Sequence, residues 1–246
     1  MNPLGLTMMI DPGLPTGAFT DVVHSHGEHI DLVKFGWGTA LVTRDLDRKV
    51  AVLREASIGF YFGGTLFERY LFGDRLGDFL ALVERTGATH IEVSNGTIPL
   101  DQHAKADYVR RMARYRPVLS EVGYKDPERS ARLTPADWVA AIREDLDAGA
   151  SLVITETRES GRSGMARPDG HLRDEVLHAV LAAVDTDRLL FEAPTKELQV
   201  ELIRAVGARV NLGNIAAADV IGVATLRLGL RGDTLLQFAP RIASVA

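Results

Sequence analysis

Charged side chains stand at the ends of short apolar runs throughout this sequence. The carboxylates and cations in such positions are Asp11, Glu92, Glu121, Glu156, Glu192, Lys34, Lys125, Arg158 and Lys196. Several carboxylates brought to one place repel one another unless a cation joins them, and hard oxygen ligands favour Mg²⁺ over zinc or copper. Lysine and arginine beside them suit an anionic substrate that carries phosphate or carboxylate. The residue types predict Mg²⁺-assisted chemistry on a small anion, although any one of these carboxylates could instead form a buried ion pair.

Two glycine-bearing segments could bind phosphate through their backbone amides. Asn211-Leu212-Gly213-Asn214 ends the last apolar run and leads into a helix predicted to begin near Ile215, a place where many barrels bind phosphate. The segment 160–164, which includes Ser160, Gly161 and Arg162, follows the sixth run and adds a guanidinium. Ordinary turn formation is the alternative for both segments.

The elements that must position these residues follow a regular alternation. Eight short apolar runs alternate with stretches of helical periodicity, and they cover residues 8–10, 32–33, 59–62, 91–93, 117–119, 152–154, 189–191 and 210–212. Eight such βα units in 246 residues predict a closed (β/α)₈ TIM barrel. An open, doubly wound sheet is the alternative, because periodicity does not reveal closure. In a barrel the active site lies at the carboxyl ends of the strands, where the charged residues fall.

Two helix starts carry capping signals. Thr134 stands before Pro135, with Asp137 at the third helical position, and Thr195 stands directly before Lys196. Serine and threonine at such positions cap the free amides of the first turn, and proline is favoured at the first helical residue.

Composition predicts one domain over residues 1–246 and excludes several function classes. A net charge of −5 gives no electrostatic footprint for nucleic acid or an anionic membrane. The absence of cysteine excludes disulfides, a thiolate nucleophile and cysteine-ligated zinc. No signal-peptide pattern occurs at the amino terminus, and no apolar run approaches the ~20 residues of a membrane span. A cytoplasmic protein with no membrane partner is therefore expected.

The sequence resembles the phosphosulfolactate synthase family of coenzyme M biosynthesis, whose enzymes add sulfite to phosphoenolpyruvate. The matching words are DLVKFGWGT at 31–39, GGTLFE at 63–68, SEVG at 120–123 with Lys125, DLDAGA at 145–150, RESG at 158–161, FEAP at 191–194, Asn211-Leu212 with Asn214-Ile215, and GLRGDT at 229–234. These words span nearly the whole chain in family order. The resemblance implies a (β/α)₈ barrel, dependence on Mg²⁺, and a homo-oligomer, with a trimer as the expected form.

The resemblance also implies roles for individual residues. Lys125 matches the family lysine after Glu121-Val122-Gly123 and would protonate C2 of phosphoenolpyruvate after sulfite attacks C3, in a catalytic group with Glu121 and Lys34. A lysine with an ordinary pKa near 10.4 is a slow proton donor, so the pKa of Lys125 is expected to be lowered towards neutrality. The expected anion-binding residues are Lys34, Arg158, Arg162, Ser160, Gly161, Asn211, Asn214 and Lys196. The expected Mg²⁺ ligands are Glu156, Glu192 and Asp11.

Three positions depart from the family pattern, and two other functions stay open. Asn95 stands where an acidic residue is expected, while Pro12 and Tyr124 stand where a basic residue can occur. A strand-end lysine could instead form a Schiff base in an aldolase-type barrel, which needs a carbonyl substrate and no metal. Plant heat-stress-associated proteins resemble the same family, so a non-catalytic role is the other alternative.

Overall fold

The computed structural model describes residues 4–238, so residues 1–3 and 239–246 of the predicted domain lie outside it. Its eight strands form one parallel sheet in the order β3-β2-β1-β8-β7-β6-β5-β4. The strands are β1 (Thr7–Asp11), β2 (Leu32–Phe35), β3 (Gly59–Phe62), β4 (Ile91–Val93), β5 (Val118–Val122), β6 (Leu152–Thr155), β7 (Leu189–Glu192) and β8 (Leu212–Ala216). The predicted TIM barrel is confirmed.

Thr89 closes the barrel between β3 and β4, where no strand ladder forms among the described residues. The Thr89 amide donates to the carbonyl of Phe60 at 2.9 Å. The Phe60 amide donates in return to Thr89 Oγ1 at 2.8 Å. One threonine therefore satisfies both backbone groups of a buried strand residue at the seam.

Helices cover the outside of the barrel. They are α1 (Thr16–His26), α2 (Leu46–Glu55), α3 (Gly64–Phe72), α4 (Leu76–Thr86), α5 (Gln102–Met112), α6 (Pro127–Arg132), α7 (Pro135–Asp147), α8 (Asp174–Ala183), α9 (Lys196–Val206), α10 (Val220–Arg227) and α11 (Leu235–Phe238). None of the described helices has the length and apolar character needed to cross a membrane.

Both predicted helix starts are confirmed. Thr134 and Asp137 form a capping box at the start of α7, with Pro135 as the first helical residue. Thr195 caps α9 by accepting from the amide of Leu198. These caps satisfy amides that would otherwise lack a partner in the first turn of each helix.

The hydrophobic core has two parts, separated by the sheet. The larger cluster lies between the strands and the helices and contains most of the buried apolar side chains. A smaller cluster fills the barrel interior, and its fully or nearly fully buried members are Met8, Leu32, Tyr61, Leu119, Ile154 and Leu190. Residues two apart on a strand share a face. The next inward layer is therefore formed by residues such as Lys34, Glu121, Glu156 and Glu192, directly above this apolar floor.

Arg227 links the segment before the first strand to the segment before the last strand. Its guanidinium donates to the carbonyl of Leu4, to Val210 O at 2.7 Å and to Leu6 O at 3.0 Å. Leu6 leads into β1 and Val210 leads into β8. This buried cation therefore holds the first and the last strand of the barrel together at their amino ends.

Candidate active site

A cavity of about 690 Å³ opens above the apolar floor, at the carboxyl ends of the strands. Its charged lining residues are Lys34, Glu92, Lys125, Glu156, Arg158, Glu159 and Glu192. Its apolar lining residues include Ile10, Leu14, Trp37 and Pro194. The location agrees with the rule for barrel enzymes.

Lys34 lies at the bottom of the cavity between three carboxylates. Its Nζ atom is 3.1 Å from Glu192 Oε1, 3.2 Å from Glu92 Oε2 and 3.7 Å from Glu121 Oε2. Burial lowers the pKa of Lys34, but Glu92 and Glu192 outweigh burial and hold the pKa well above its ordinary value of 10.5. Lys34 is therefore an internal counter-ion that allows three glutamates to converge.

Lys125 lies at the cavity wall and joins two further carboxylate oxygens. Its Nζ atom donates to Glu121 Oε1 at 2.8 Å and to Glu156 Oε2 at 2.7 Å. Burial lowers the pKa of Lys125, but Glu121 and Glu156 raise it further than burial lowers it, so the pKa lies above 10.5. The expected lowering of this pKa is wrong for the chain without ligands, because the lysine faces carboxylates rather than other cations.

Four buried glutamates form what we call the carboxylate cluster, Glu92, Glu121, Glu156 and Glu192. Oxygen atoms of Glu121, Glu156 and Glu192 lie within 4.8 Å of one another, which suits a shared metal ion. With Lys34 and Lys125, the cluster carries an excess of two negative charges when all six groups are ionised. A divalent cation would cancel that excess, and the ligands are the hard oxygens that Mg²⁺ prefers.

Protons offer a second way to relieve this repulsion. Burial raises the pKa of Glu121, but Lys125 and Lys34 outweigh burial and bring the pKa to about 2. Burial and the charge of Glu121 hold the pKa of Glu156 well above its ordinary value of 4.5. Burial likewise raises the pKa of Glu192. Without a metal, the arrangement therefore favours an ionised Glu121 beside a protonated Glu156.

The sequence placed Glu92 among the strand-end carboxylates without an individual role, and it belongs to the cluster. Burial, partly opposed by Lys34, raises its pKa to about 7. Its Oε1 atom accepts a hydrogen bond from the amide of Gly64, the first residue of α3. A side chain at position 64 would collide with Glu92 and Ser94, so this contact requires glycine.

Asp11 does not join the carboxylate cluster. Its Oδ2 atom pairs with Lys49 Nζ at 2.6 Å, and both side chains are fully buried. Its Oδ1 atom accepts from the amides of Gly13 and Leu14 at 2.9 and 2.7 Å. Its neighbour Ile10 faces the cavity instead. Because successive strand residues point to opposite faces, Asp11 points towards α2, and the predicted metal-ligand role does not fit this position.

The loop after β6 brings one of its four predicted binding residues to the cavity. Arg158 lines it, with its guanidinium 3.2 Å from Glu159. Ser160 and Arg162 are exposed, and neither is among the lining residues. The Gly161 amide donates to the carbonyl of Arg158 at 2.7 Å. Gly161 therefore forms the turn that was the alternative reading of this segment.

The last strand lies later in the chain than predicted. β8 runs to Ala216, a short 3₁₀ helix follows at Ala217–Asp219, and α10 begins at Val220, so the chain becomes helical two residues later than expected. Asn211 precedes the strand, accepts from the Leu6 amide at 2.9 Å and donates to Leu189 O at 2.9 Å. The predicted substrate role of Asn211 does not fit, because this is the amino end of the barrel. Asn214 does line the cavity, in a left-handed conformation with φ of 52°.

Of the remaining positions singled out in the sequence, Lys196, Asn95 and Tyr124 do not line the cavity. Lys196 is at the start of α9, where its Nζ atom pairs with Asp233 at 2.9 Å and its side chain is nearly half exposed. Asn95 donates to the carbonyl of Leu100 at 3.0 Å, so its amide shapes the loop after β4. Tyr124 packs against the guanidinium of Arg129 at 4.0 Å, whereas Pro12 lines the cavity.

Comparison with known proteins identifies the family. The family model described as (2R)-phospho-3-sulfolactate synthase (ComA) matches residues 3–233. The chain belongs to this family. A phosphosulfolactate synthase of Bacillus subtilis (strain 168) is 44% identical over 231 residues, which cover 94% of this chain and 92% of that protein. A phosphosulfolactate synthase of Methanocaldococcus jannaschii is 40% identical over 234 residues, covering 94% of this chain and 93% of that one. The family member described above is therefore an enzyme that binds a small molecule.

Solved structures support the fold of this synthase family member. A 3-hexulose-6-phosphate synthase superposes with a TM-score of 0.58 at 17% identity, covering 91% of this chain and 98% of its own. A structure described as native KDPGal gives a TM-score of 0.55 at 13% identity, covering 93% and 97%. At such identities the likeness concerns the barrel alone.

Proposed function

We propose that this enzyme adds sulfite to phosphoenolpyruvate to form phosphosulfolactate, as a carbon-sulfur lyase assisted by Mg²⁺. Lys125 carries the proposal, because it lies in the cavity, donates to both Glu121 and Glu156, and occupies the position of the family lysine. The names of the curated relatives support the reaction. We expect the enzyme to act in the cytoplasm as a homo-oligomer, with a trimer as the expected form.

The carboxylate cluster fits a divalent metal. Glu121, Glu156 and Glu192 would hold it, and they replace the set with Asp11 that the sequence favoured. Buried oxygens Glu92 Oε2 and Glu121 Oε2 accept no well-formed hydrogen bond, with Lys34 Nζ at 3.2 and 3.7 Å, so the cluster has acceptor capacity left for a cation. When bound, Mg²⁺ would offset the cluster's excess charge and stabilise the negative charge that develops on the substrate carboxylate.

The reaction requires one bond formation at each carbon of the substrate double bond. The sulfur lone pair of sulfite attacks C3 of phosphoenolpyruvate, and the electron pair of the double bond moves towards the carboxylate to give an aci-carboxylate. That electron pair then takes a proton at C2, so no atom leaves and phosphosulfolactate results. Lys125 holds a proton at neutral pH at the cavity wall. Fast transfer to C2 requires its pKa to fall towards neutrality, and a divalent cation that compensates the charges of Glu121 and Glu156 would lower it.

Arg158 is the cation best placed to bind an anionic group of the substrate. Its side chain is about one third exposed at the cavity wall, and its guanidinium pairs with the exposed Glu159. A guanidinium presents two parallel donors that match phosphate, carboxylate or sulfite oxygens. Lys34, by contrast, is already surrounded by carboxylates, so its role is to hold the cluster together.

The same electrostatics argue against Schiff-base chemistry. An amine must be neutral to attack a carbonyl, and a Schiff-base lysine therefore needs a lowered pKa. Carboxylates raise the pKa of both Lys34 and Lys125. Lys196 is paired with Asp233 outside the cavity. An aldolase-type mechanism is the weaker proposal for these reasons.

Product analysis tests the proposed function directly. Purified enzyme with phosphoenolpyruvate, sulfite and Mg²⁺ should form a compound with the mass and phosphorus resonance of phosphosulfolactate. Omission of sulfite should prevent its formation, and a panel of other nucleophiles should not replace sulfite. Excess chelator should stop turnover, and Mg²⁺ should restore it better than Zn²⁺. Full turnover in chelator would exclude an essential exchangeable metal, and absence of product would reject sulfite as the nucleophile.

A further inference from the structure

Glu68 is a buried carboxylate that the proposed mechanism does not use. It lies in the second turn of α3 and its residue exposure is 2%. Its Oε1 atom accepts hydrogen bonds from Ser94 Oγ and, at 3.1 Å, from the amide of Gly96. Its Oε2 atom accepts from the amides of Thr97 and Ile98 at 2.8 and 2.9 Å.

These four donors belong to one segment, the loop after β4 formed by residues 94–98. Because all four are uncharged, Glu68 acts as an anion bound by backbone amides rather than as half of an ion pair. A carboxylate that accepts from several backbone amides fixes the conformation of the loop that donates them, since each amide would otherwise lack a buried partner. Glu68 therefore determines the shape of the loop after β4.

The same loop contacts Lys125. The carbonyl of Gly96 accepts a hydrogen bond from the Lys125 amide at 3.1 Å. A Cβ atom added at Gly96 would lie 3.2 Å from Lys125 Cγ and 3.4 Å from Glu121 Oε1, so the loop backbone packs tightly against the lysine and its partner. Thr97 of the same loop lines the cavity. A shift of this loop would move the amine that Lys125 presents.

We propose that Glu68 is a positioning residue, which holds the loop 94–98 so that Gly96 fixes Lys125 at the cavity wall. This inference rests on the proposed function only where it concerns turnover. The placement of Lys125 itself can be measured without any assay of the reaction.

Glu68→Gln is the informative variant because glutamine keeps the volume but not the acceptor pattern. With its NH₂ group at the Oε1 position it meets the Gly96 amide, and at the Oε2 position it meets the amides of Thr97 and Ile98. Two donors face each other in either orientation, so the loop must rearrange. Asp31→Asn is the matched control, since Asp31 Oδ2 accepts from the Thr7 amide at 2.8 Å at the amino end of the barrel.

Turnover should separate positioning from general support of the fold. We expect Glu68→Gln to lower kcat by roughly 10-fold to 100-fold, the effect of misplacing a reacting group by about 1 Å, with directly measured phosphoenolpyruvate affinity nearly unchanged. In the Lys125→Ala background the same substitution should cause little further loss, because a residue that acts through Lys125 has nothing left to position. Equal losses in both backgrounds would overturn the proposal.

Lysine labelling provides a readout that is independent of the reaction. The Lys125 side chain is 19% exposed and paired with two carboxylates, so an amine-reactive reagent should label it slowly in the wild type. Glu68→Gln should raise the labelling rate of Lys125 several-fold, measured by mass spectrometry, and Asp31→Asn should not. If wild-type enzyme made no product but labelling rose, the proposed function would fail and the positioning role would stand. Unchanged labelling would reject the role whatever the enzyme makes.

Gly96→Ala approaches the same contact from the other side. The added methyl group should press on Lys125 while all four contacts of Glu68 remain. We expect it to lower kcat and alter Lys125 labelling as Glu68→Gln does, and this variant keeps the test decisive if Glu68→Gln does not fold. Normal kcat and normal labelling in Gly96→Ala would show that the loop does not position Lys125.

Discussion

At the scale of single residues, Lys125 has a proton and a fixed position, but its raised pKa makes it a slow donor until the charges of Glu121 and Glu156 are compensated. It is protonated throughout the neutral range, because Glu121 and Glu156 outweigh burial and raise its pKa. It also has a fixed position, because both carboxylates accept from its Nζ atom within 2.8 Å. Arg158 is held less firmly, because its side chain is 35% exposed, against 19% for Lys125, and its guanidinium pairs with the exposed Glu159.

The two cations should therefore respond differently to truncation. We expect Lys125→Ala to lower kcat by roughly 10²–10⁴-fold while phosphoenolpyruvate binding is largely retained, because a proton delivered in the transition state contributes little to ground-state affinity. Arg158→Ala should weaken substrate affinity at least as much as it lowers kcat. Steady-state kinetics and direct binding measurements on both variants provide the comparison. Near-normal kcat in Lys125→Ala would remove lysine from the acid role.

Most of the site residues could be predicted from strand ends, and the exceptions have physical causes. Lys34, Glu156 and Glu192 line the cavity, as expected from their positions at the ends of apolar runs. Asp11 was misplaced because a shift of one residue along a strand reverses the direction of the side chain. Glu68 ends the matching word GGTLFE but received no role, because its contacts reach residues 26 to 30 positions away and only folding brings them together.

At the scale of elements, the bounds of β8 were predicted wrongly. The apolar run 210–212 and the strand share only Leu212. Val210 and Asn211 precede the strand, and Gly213 and Asn214 lie inside it. Gly213 suits the strand because a Cβ atom there would lie 2.9 Å from Met8 Cε in the barrel interior. A glycine within a strand often marks such a close approach, and here it resembled a turn. Each of the other seven runs shares at least two residues with its strand.

The contribution of Thr89 to stability at the junction of β3 and β4 can be tested by substitution. Thr89→Val keeps the shape but removes the Oγ1 acceptor, leaving the amide of buried Phe60 without this partner. We expect a loss of about 1 kcal/mol in the free energy of unfolding, at the lower end for an unpaired buried group because Thr89 itself is exposed. Thr89→Ser is the control and should stay close to the wild type in denaturant unfolding. Equal stability of the valine and serine variants would mean that water replaces the hydroxyl.

At the scale of the whole molecule, length and alternation were sufficient to predict the barrel, because eight βα units have few other ways to bury their strands. The charge balance of the interior was not accessible in this way. It depends on which carboxylates converge, and the carboxylate cluster draws its four glutamates from four different strands and their ends. This convergence also affects the free energy of unfolding, because ionisation of buried groups contributes to the stability of the entire fold.

The pH dependence of unfolding should reveal this contribution. The folded-state pKa of Glu92 is about 7, raised by burial from an ordinary 4.5. Its contribution to stability is therefore fully present below the unfolded pKa and lost as pH rises through the folded one. Glu156 and Glu192 act in the same direction, because their pKa values are also raised. Glu121 has a pKa of about 2 and stabilises the fold above its ordinary value of 4.5, so its contribution stays constant through the neutral range.

In chelator, the free energy of unfolding should fall between about pH 5 and pH 8, with Glu92 alone contributing roughly 3 kcal/mol of that loss. Glu92→Gln keeps an acceptor for the Gly64 amide and cannot ionise, so its loss over the same interval should be smaller by that amount. The difference between the two proteins separates the ionisation of Glu92 from that of the groups they share. Because a metal binds ionised carboxylates, Mg²⁺ should raise the melting temperature more at pH 8 than at pH 5.5. Identical pH profiles for wild type and Glu92→Gln would show that the pKa of Glu92 is not raised in the folded chain, because Lys34 then offsets burial.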